Sequence, residues 1–262
     1  MLKFLTIIVP LLFSAAAIAT DNTAEFDRFR AEMEQDNPSE LFEMRGESLW
    51  SERKGPHNLS LSEVCDMGKG IGVTIGAYAA LPRFFQDAGT VMDAERRLVY
   101  CITAKQGLPA PKQAFSNDRV TPDHVSILTW LAAESKGFKL DVNMKDPAVS
   151  KAYAYGKEVF HRRAGAYDFS CQTCHGESGK RIRMQVLPKL NSPAEAFQGV
   201  KGWPGYRMTG GYMLTQQWRM NDCLRQQRMP EPEYLSDTVT ALLTYLTANA
   251  NGNVYTGPGI KR

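Results

Sequence analysis

The chain has few cysteines and histidines, and after residue 20 no apolar run approaches the length of a membrane span. It also lacks low-complexity tracts and any recognisable nucleic-acid-binding motif, which argues against a fibrous protein and against a DNA- or RNA-binding protein. The five cysteines are an odd number, so at least one lies outside any internal disulfide. The composition is that of an ordinary globular protein, long enough for two modest domains.

The first residues, MLKFLTIIVPLLFSAAAIAT, have the features of a secretory signal. Lys3 precedes an apolar run at 4–13, and small residues follow before Thr20. The pattern predicts a signal peptide at residues 1–19, with a retained membrane anchor as the alternative. Export would place the mature chain where disulfides persist.

The sequence CQTCH, at residues 171–175, is a C-x-x-C-H motif, which indicates covalent attachment of haem c. Two thiols at this spacing can form thioethers with the two vinyl groups, and the adjacent histidine can ligate the iron. A thioredoxin-type redox pair does not need the histidine, and no predicted strand precedes the motif. A zinc site would need a second Cys/His pair, which the sequence lacks. We therefore predict one covalently bound haem c, held by Cys171, Cys174 and His175.

The segments on either side of this motif are typical of a class I cytochrome c domain. Residues 145–163 predict a helix that leads into the motif. At the far end, SDTVTALLTYLTANA predicts a second helix with Ser236 or Asp237 as its N-cap. The intervening segment, 176–229, is rich in glycine, proline and polar residues. It is predicted to be loop with short helices, and a sixth iron ligand would lie there.

An internal repeat relates the two halves of the chain. ILTWLAAESKG at 127–137 aligns with LLTYLTANANG at 242–252. Upstream, RLVYC, which ends at Cys101, resembles RMNDC, which ends at Cys223. The fold prediction is therefore a mainly α chain of two tandem class I cytochrome c-like domains.

The first of these domains is predicted to be without haem. In the alignment CDMGK, residues 65–69, takes the place of the haem motif, with Gly68 and Lys69 where the second cysteine and the histidine would be. The predicted bounds are 20–140 for the haem-less domain, including an N-terminal helical extension, and 141–262 for the haem-binding domain.

The repeat also suggests how the remaining cysteines are used. Cys65 and Cys101 can form a disulfide across about 36 residues, which by the chain-entropy argument is worth roughly 3–4 kcal/mol. Cys223 is then unpaired.

Three roles are open for Cys223 from the residues alone. It could be a small buried hydrophobe, although its polar neighbours fit that role poorly. Met229, which precedes a proline, could instead be the sixth iron ligand, as in electron-transfer cytochromes. Alternatively, Cys223 could itself ligate the iron. In that case Arg219, Arg225 and Arg228 would lower its pKa.

Basic residues are concentrated in the second half. From Lys157 to Arg228, twelve Lys/Arg stand against five Asp/Glu. Such an excess is either an ordinary solvated surface or a means of attracting an anionic substrate or partner.

Several of these features together resemble the SoxA family, the larger subunit of the SoxAX cytochromes of periplasmic sulfur oxidation. They are the leader, the repeat, GAYAALPRFFQDAGTVMDAERRLVYC, CQTCHGESG and WRMNDCLRQQRMPEP. The resemblance covers nearly the whole mature chain. Gly68 and Lys69 match the single-haem form of the family, in which the two first-domain cysteines form a disulfide.

The resemblance implies an L-cysteine S-thiosulfotransferase located in the periplasm. His175 and Cys223 would be the two iron ligands, and Arg219 would lie beside Cys223 in the active site. The implied substrates are thiosulfate and a cysteine of the SoxYZ carrier protein. Electrons would leave through SoxX, a small cytochrome c that forms a heterodimer with this subunit. In the family the distal cysteine can carry an extra sulfur as a persulfide. A plain electron-transfer cytochrome with His175 and Met229 as ligands is the alternative.

Overall fold

The computed structural model describes residues 22–112, 120–182 and 185–261. The helices are α1 (Asn22–Met33), α2 (Ser39–Ser51), α3 (Leu61–Val64), α4 (Ala94–Tyr100), α5 (Asp123–Ala133), α6 (Pro147–His161), α7 (Cys171–His175), α8 (Pro193–Val200), α9 (Gln216–Gln226) and α10 (Asp237–Asn249). The strands are β1 (Arg83–Phe85), β2 (Thr90–Met92), β3 (Arg181–Ile182), β4 (Gln185–Val186), β5 (Gly202–Arg207), β6 (Tyr212–Leu214) and β7 (Pro258–Lys261). The predicted signal peptide, 1–19, lies outside the described residues.

The chain is mainly helical, as expected, and its long helices cross in two pairs. Helix α2 packs against α5, and α6 packs against α10. A Cβ atom at Gly46 would overlap the Ser126 carbonyl oxygen of α5, and one at Gly156 would overlap the Ala241 carbonyl oxygen of α10. The two backbones can approach this closely only because glycine has no Cβ. None of the helices in the three described ranges is long and apolar enough to span a membrane.

The same order of local features recurs in both halves. A bridged turn at 54–59 follows α2, and Ser60 then begins α3 by donating its backbone N–H to the side chain three residues on, at 2.9 Å. A matching turn at 164–169 follows α6, and Ser170 begins α7 with the same kind of bond, at 3.0 Å. The structure therefore aligns α3 with α7, the helix of the haem motif.

This correspondence corrects the predicted register of the first motif. The equivalent pairs are Leu61/Cys171, Val64/Cys174 and Cys65/His175. The prediction that CDMGK at 65–69 takes the place of the haem motif is therefore wrong, because α3 already ends at Val64. The residues that follow form a turn in which Gly68 and Gly70 have φ angles of 100° and 111°. Only glycine adopts such angles without strain, so these residues build a turn rather than a damaged haem motif.

The predicted disulfide between Cys65 and Cys101 is confirmed, with a Cα–Cα distance of 5.4 Å and both residues at 0% exposure. Cys101 begins a π-helical turn that continues α4. It is the counterpart of Cys223 in the repeat. The disulfide therefore joins the two positions that His175 and Cys223 occupy in the second half.

Helices α4 and α9, which lead to these cysteines, are equivalent but use their arginines differently. Asp93 caps α4 and Thr215 caps α9, and each helix carries an arginine four residues before its cysteine. Arg97 on α4 is 2% exposed and donates to both carboxylate oxygens of Asp87, at 2.7 and 3.1 Å. The side chain of Arg219 on α9 is 36% exposed. One arginine is thus part of the interior, and the other is accessible.

The two halves meet at a buried polar contact. The Asp93 carboxylate accepts hydrogen bonds from Gln217 Nε2 and Thr240 Oγ1, both at 2.8 Å. A three-stranded sheet in the order β6-β5-β7, with β7 parallel to β5, brings the end of the chain back against the second half. Because Gln217 lies on α9, the contact with Asp93 fixes this helix relative to the first half.

Candidate functional site

Helix α7 consists of the haem motif itself, Cys171–His175. Its N-terminus is held by a reciprocal pair of bonds, in which the Ser170 N–H donates to Thr173 Oγ1 at 3.0 Å and the Thr173 N–H donates to Ser170 Oγ at 3.3 Å. Side chains three residues apart lie on one side of a helix. The cap therefore holds Cys171 and Cys174 on a common face, as attachment to one porphyrin requires.

His175 is oriented as a metal-binding imidazole. Its Nδ1 lies 2.8 Å from the Pro188 carbonyl oxygen, to which it can donate, so the tautomer with Nε2 as the free lone pair is favoured. Burial lowers the pKa of His175 and outweighs the hydrogen bond to Pro188, which raises it; the charge of Arg219 acts in the same direction as burial. Both effects favour the neutral ring that ligates iron.

Three cysteines without a disulfide come together at this site: Cys171, Cys174 and Cys223, all half-buried. Burial raises the pKa of Cys171 to about 12, and the charge of the neighbouring Cys223 contributes to this. The pKa of Cys223 is also raised, first by burial and to a lesser extent by Cys174. Cys223 is therefore within electrostatic reach of both motif cysteines, although 49 residues separate it from the second of them along the chain.

Cys223 lies on α9, an eleven-residue helix within the segment 176–229, which was predicted to be loop with short helices. The helix begins at Thr215, whose Oγ1 accepts from the Trp218 N–H at 3.1 Å. Trp218 and Leu224 are buried at 6% and 7% exposure. These two packed side chains stabilise a helix whose remaining residues are mostly polar, so its sequence showed no clear helical period.

Arg219 is the cation that acts on Cys223. Burial is the largest influence on the pKa of Cys223 and raises it, whereas the charge of Arg219 lowers it. Arg219 lies one turn before Cys223 on α9, so both side chains face the same region. Arg219 and Cys223 thus lie on one side of α9, one turn apart.

Arg225 and Arg228 were also expected to lower the pKa of Cys223, but in the structure both contact other residues. Arg225 donates to Asp222 Oδ1 at 2.6 Å, and its Nη1 lies 3.7 Å from Glu231. The Arg228 guanidinium lies over the Tyr167 ring, 5.5 Å from its centroid. Of the three arginines, only Arg219 acts on the thiol.

Sequence reasoning missed Asp222, which lies between Arg219 and Arg225 on α9. Its carboxylate is 8% exposed and accepts from Arg219 Nη1 at 3.1 Å, from Arg225, and from Gln226 Nε2 at 2.8 Å. The signal was present as R-x-x-D-x-x-R, a spacing that places both cations within reach of one carboxylate on a helix.

Met229, the alternative ligand, lies beyond the end of α9. Its N–H donates to the Leu224 carbonyl oxygen at 2.9 Å, and its Cα lies against Gly165. The turn at 164–169 thus packs on the backbone of Met229, whereas Cys223 is coupled in charge to the motif cysteines.

These residues fit a covalently bound haem. Two thiols on one face of a capped helix and an adjacent neutral imidazole held through Nδ1 are the groups that covalent attachment of haem c requires, and Cys223 on α9 adds a sulfur donor. The fold and the site together define a c-type cytochrome.

Comparison with known proteins identifies the kind of cytochrome. The family model described as "SoxA/TsdA, cytochrome c domain" matches residues 45–140. An L-cysteine S-thiosulfotransferase subunit SoxA from Hydrogenophilus thermoluteolus is 45% identical over 240 residues, covering 90% of this chain and 87% of the relative. The subunit of the same name from Paracoccus pantotrophus is 27% identical over 95% of this chain and 79% of the relative. The crystal structure of SoxXA from P. pantotrophus superposes with a TM-score of 0.73 at 26% identity, covering 90% of this chain and 84% of that one.

The chain belongs to the SoxA family of L-cysteine S-thiosulfotransferase subunits. Because the family model falls on the half that lacks the C-x-x-C-H motif, it supports the internal repeat independently of the haem site.

Proposed function

We propose that this chain is the catalytic subunit that conjugates thiosulfate to a cysteine of a SoxYZ-type carrier protein, with Cys223 and Arg219 as its catalytic residues. The observation that supports this most directly is the placement of Cys223. The thiol lies within electrostatic reach of both motif cysteines and of Arg219, so haem attachment, sulfur chemistry and a cation share one site.

In this proposal Cys171 and Cys174 would hold one haem c through thioethers, and His175 and Cys223 would supply the nitrogen and sulfur donors to its iron. The haem, when bound, supplies a one-electron redox centre and an iron that ligates sulfur. The first half carries no haem, because Leu61 and Val64 stand where thioethers would form and the equivalents of the axial ligands are joined as the Cys65–Cys101 disulfide.

The chain's own residues account for binding and group transfer. Thiosulfate is a dianion, and the Arg219 guanidinium offsets its repulsion from a thiolate and can bind two of its sulfonate oxygens at once. The Cys223 thiolate forms an S–S bond with the terminal sulfur of thiosulfate, and the two electrons released leave one at a time through a SoxX-type small cytochrome, which passes each on to a diffusible cytochrome. The carrier thiolate then attacks that terminal sulfur, takes the thiosulfate group, and releases the Cys223 thiolate.

The similarity to SoxXA supports a heterodimer with a SoxX-type cytochrome, and we place the complex in the periplasm on the basis of the predicted signal peptide at 1–19. The domain division at residue 140 follows from the repeat. The basic excess between Lys157 and Arg228 fits an anionic substrate, although Arg225 is already paired within the protein.

Substitution of Cys223 tests this proposal. In Cys223→Ala, purified with its haem and its SoxX-type partner, thiosulfate conjugation to the carrier should be abolished while haem remains covalently attached. The ferric spectrum of the wild type should lack the thioether–iron charge-transfer band of His/Met ligation. Full activity in Cys223→Ala would refute the catalytic role. A thioether–iron band that disappears in Met229→Ala would show the electron-transfer cytochrome instead.

A further inference from the structure

The Asp222 carboxylate is a buried charge with three donors around it. Its side chain is 8% exposed, against 36% for Arg219 and 44% for Arg225. Oδ2 accepts from Arg219 and Gln226, and Oδ1 accepts from Arg225. A buried carboxylate needs such partners, and a carboxylate with three of them is held in one orientation.

Arg219 is held through one nitrogen only. Its Nη1 donates to Asp222, and within the described residues its remaining guanidinium nitrogens make no hydrogen bond. An arginine side chain has many rotamers, and anchoring one nitrogen removes part of that freedom before substrate binds. The free edge of the guanidinium is then available to a sulfonate.

The first half of the chain provides an internal comparison. Arg97 is the counterpart of Arg219, and Asp222 corresponds in the repeat to Tyr100. There the arginine is turned into the interior by Asp87 and by the Asp66 carbonyl oxygen, at 2.7 Å. In the half without a haem motif, a tyrosine therefore takes the place of the Asp222 carboxylate, and a buried arginine takes the place of Arg219.

We propose that Asp222 is a positioning residue for the sulfur transfer, because its buried carboxylate fixes the Arg219 guanidinium beside Cys223 in the orientation that binds the sulfonate of thiosulfate. This inference rests on the proposed function. Arg225 and Gln226 support it indirectly, since they hold the carboxylate itself.

A positioning role and a purely electrostatic role predict opposite results. Asp222 is an anion close to a site for a dianion, so its charge alone would repel thiosulfate. If charge were its only influence, Asp222→Asn would improve thiosulfate binding. If it positions Arg219, the same variant loses activity despite the more favourable net charge.

Steady-state kinetics of the haem-loaded complex, varying thiosulfate and carrier separately, distinguishes these cases. We expect Asp222→Asn to lower kcat/KM for thiosulfate about 10- to 100-fold, the usual cost of misplacing a substrate-orienting group, with KM for the carrier unchanged. A matched control is Asp168→Asn, which removes an acid from the same basic segment. Asp168 is exposed and pairs with Arg163, so this control should stay within about twofold of wild type. Rates are expressed per bound haem, so that a fraction of misfolded protein does not lower the measured value. Asp222→Ser repeats the measurement with a smaller side chain.

A double-mutant cycle assigns the effect to Arg219. In an Arg219→Met background, Asp222→Asn should change kcat/KM by less than about twofold, because the group that it positions is gone. A wild-type or increased kcat/KM in Asp222→Asn would overturn the inference, and so would a full further loss in the Arg219→Met background. Activity in Cys223→Ala would instead refute the proposed function, so the two failures are distinguishable.

Discussion

Removal of the Cys65–Cys101 disulfide should destabilise the first half strongly without changing the haem. The bond spans a sequence separation of 36 residues. Closing a loop of that length lowers the entropy of the unfolded chain by about 13 cal/mol/K in the chain-entropy model, which is about 3.8 kcal/mol at 25 °C. That corresponds to a change of about 600-fold in the folding equilibrium constant. If the chain unfolds as one unit, the melting temperature should fall by about 8–15 °C.

The measurement is urea denaturation of Cys65→Ala, Cys101→Ala and the double variant, followed by far-UV circular dichroism and by haem absorbance. Each single variant already lacks the cross-link, so each should lose nearly as much stability as the double variant. The haem spectrum of the folded protein should not change. Two results would contradict this reasoning: a double variant within about 1 kcal/mol of wild type, or single variants whose effects simply add.

Five further substitutions test three features of the fold. Urea denaturation of Gly156→Ala and of Gly46→Ala should each show a free energy of unfolding lower by about 1–3 kcal/mol, because the added methyl group overlaps the facing helix. Helix propensity alone would instead make alanine stabilising, so a gain in stability would refute the close helix crossing. Arg97→Met should lower the free energy of unfolding by about 3 kcal/mol, because Arg97 is buried and ion-paired. Arg219→Met should lower it by less than about 1 kcal/mol, because Arg219 is partly exposed. Equal losses would contradict the difference between the two arginines. Ser170→Ala should cost about 1 kcal/mol by thermal denaturation through loss of the α7 cap, and an unchanged melting temperature would show that the motif helix does not need it.

The sequence predicted those parts of the fold that depend on local chemistry. Ser236 caps α10 as expected, with its Oγ accepting from the Val239 N–H at 3.4 Å. The disulfide was predicted because the repeat places Cys65 and Cys101 in the haem-less half, where no haem motif uses them. These features depend on residues that are close in sequence or chemically rare, so tertiary packing does not need to be known.

Two features could not be predicted from the sequence in the same way. Helix α9 is stabilised by the burial of Trp218 and Leu224 among groups from other segments, and its local sequence gives little sign of a helix. The predicted alignment of residues 65–69 with the haem motif was wrong for a different reason. The sequence alignment places Cys65 opposite the first cysteine of the haem motif because both are cysteines. In the structure, the counterpart of Cys65 is His175. Only the position of α3 relative to its capping serine shows this.

The buried disulfide also bears on the order of events during biogenesis. Thioether formation at Cys171 and Cys174 would require reduced thiols, whereas Cys65 and Cys101 are oxidised to a disulfide. The two halves of one chain therefore need their cysteines in different oxidation states. In the proposed export the N-terminal half would emerge first, and its own two cysteines could pair and become buried before the motif arrives. Chain order and burial together would then keep the structural sulfurs from forming mixed disulfides with those reserved for the haem.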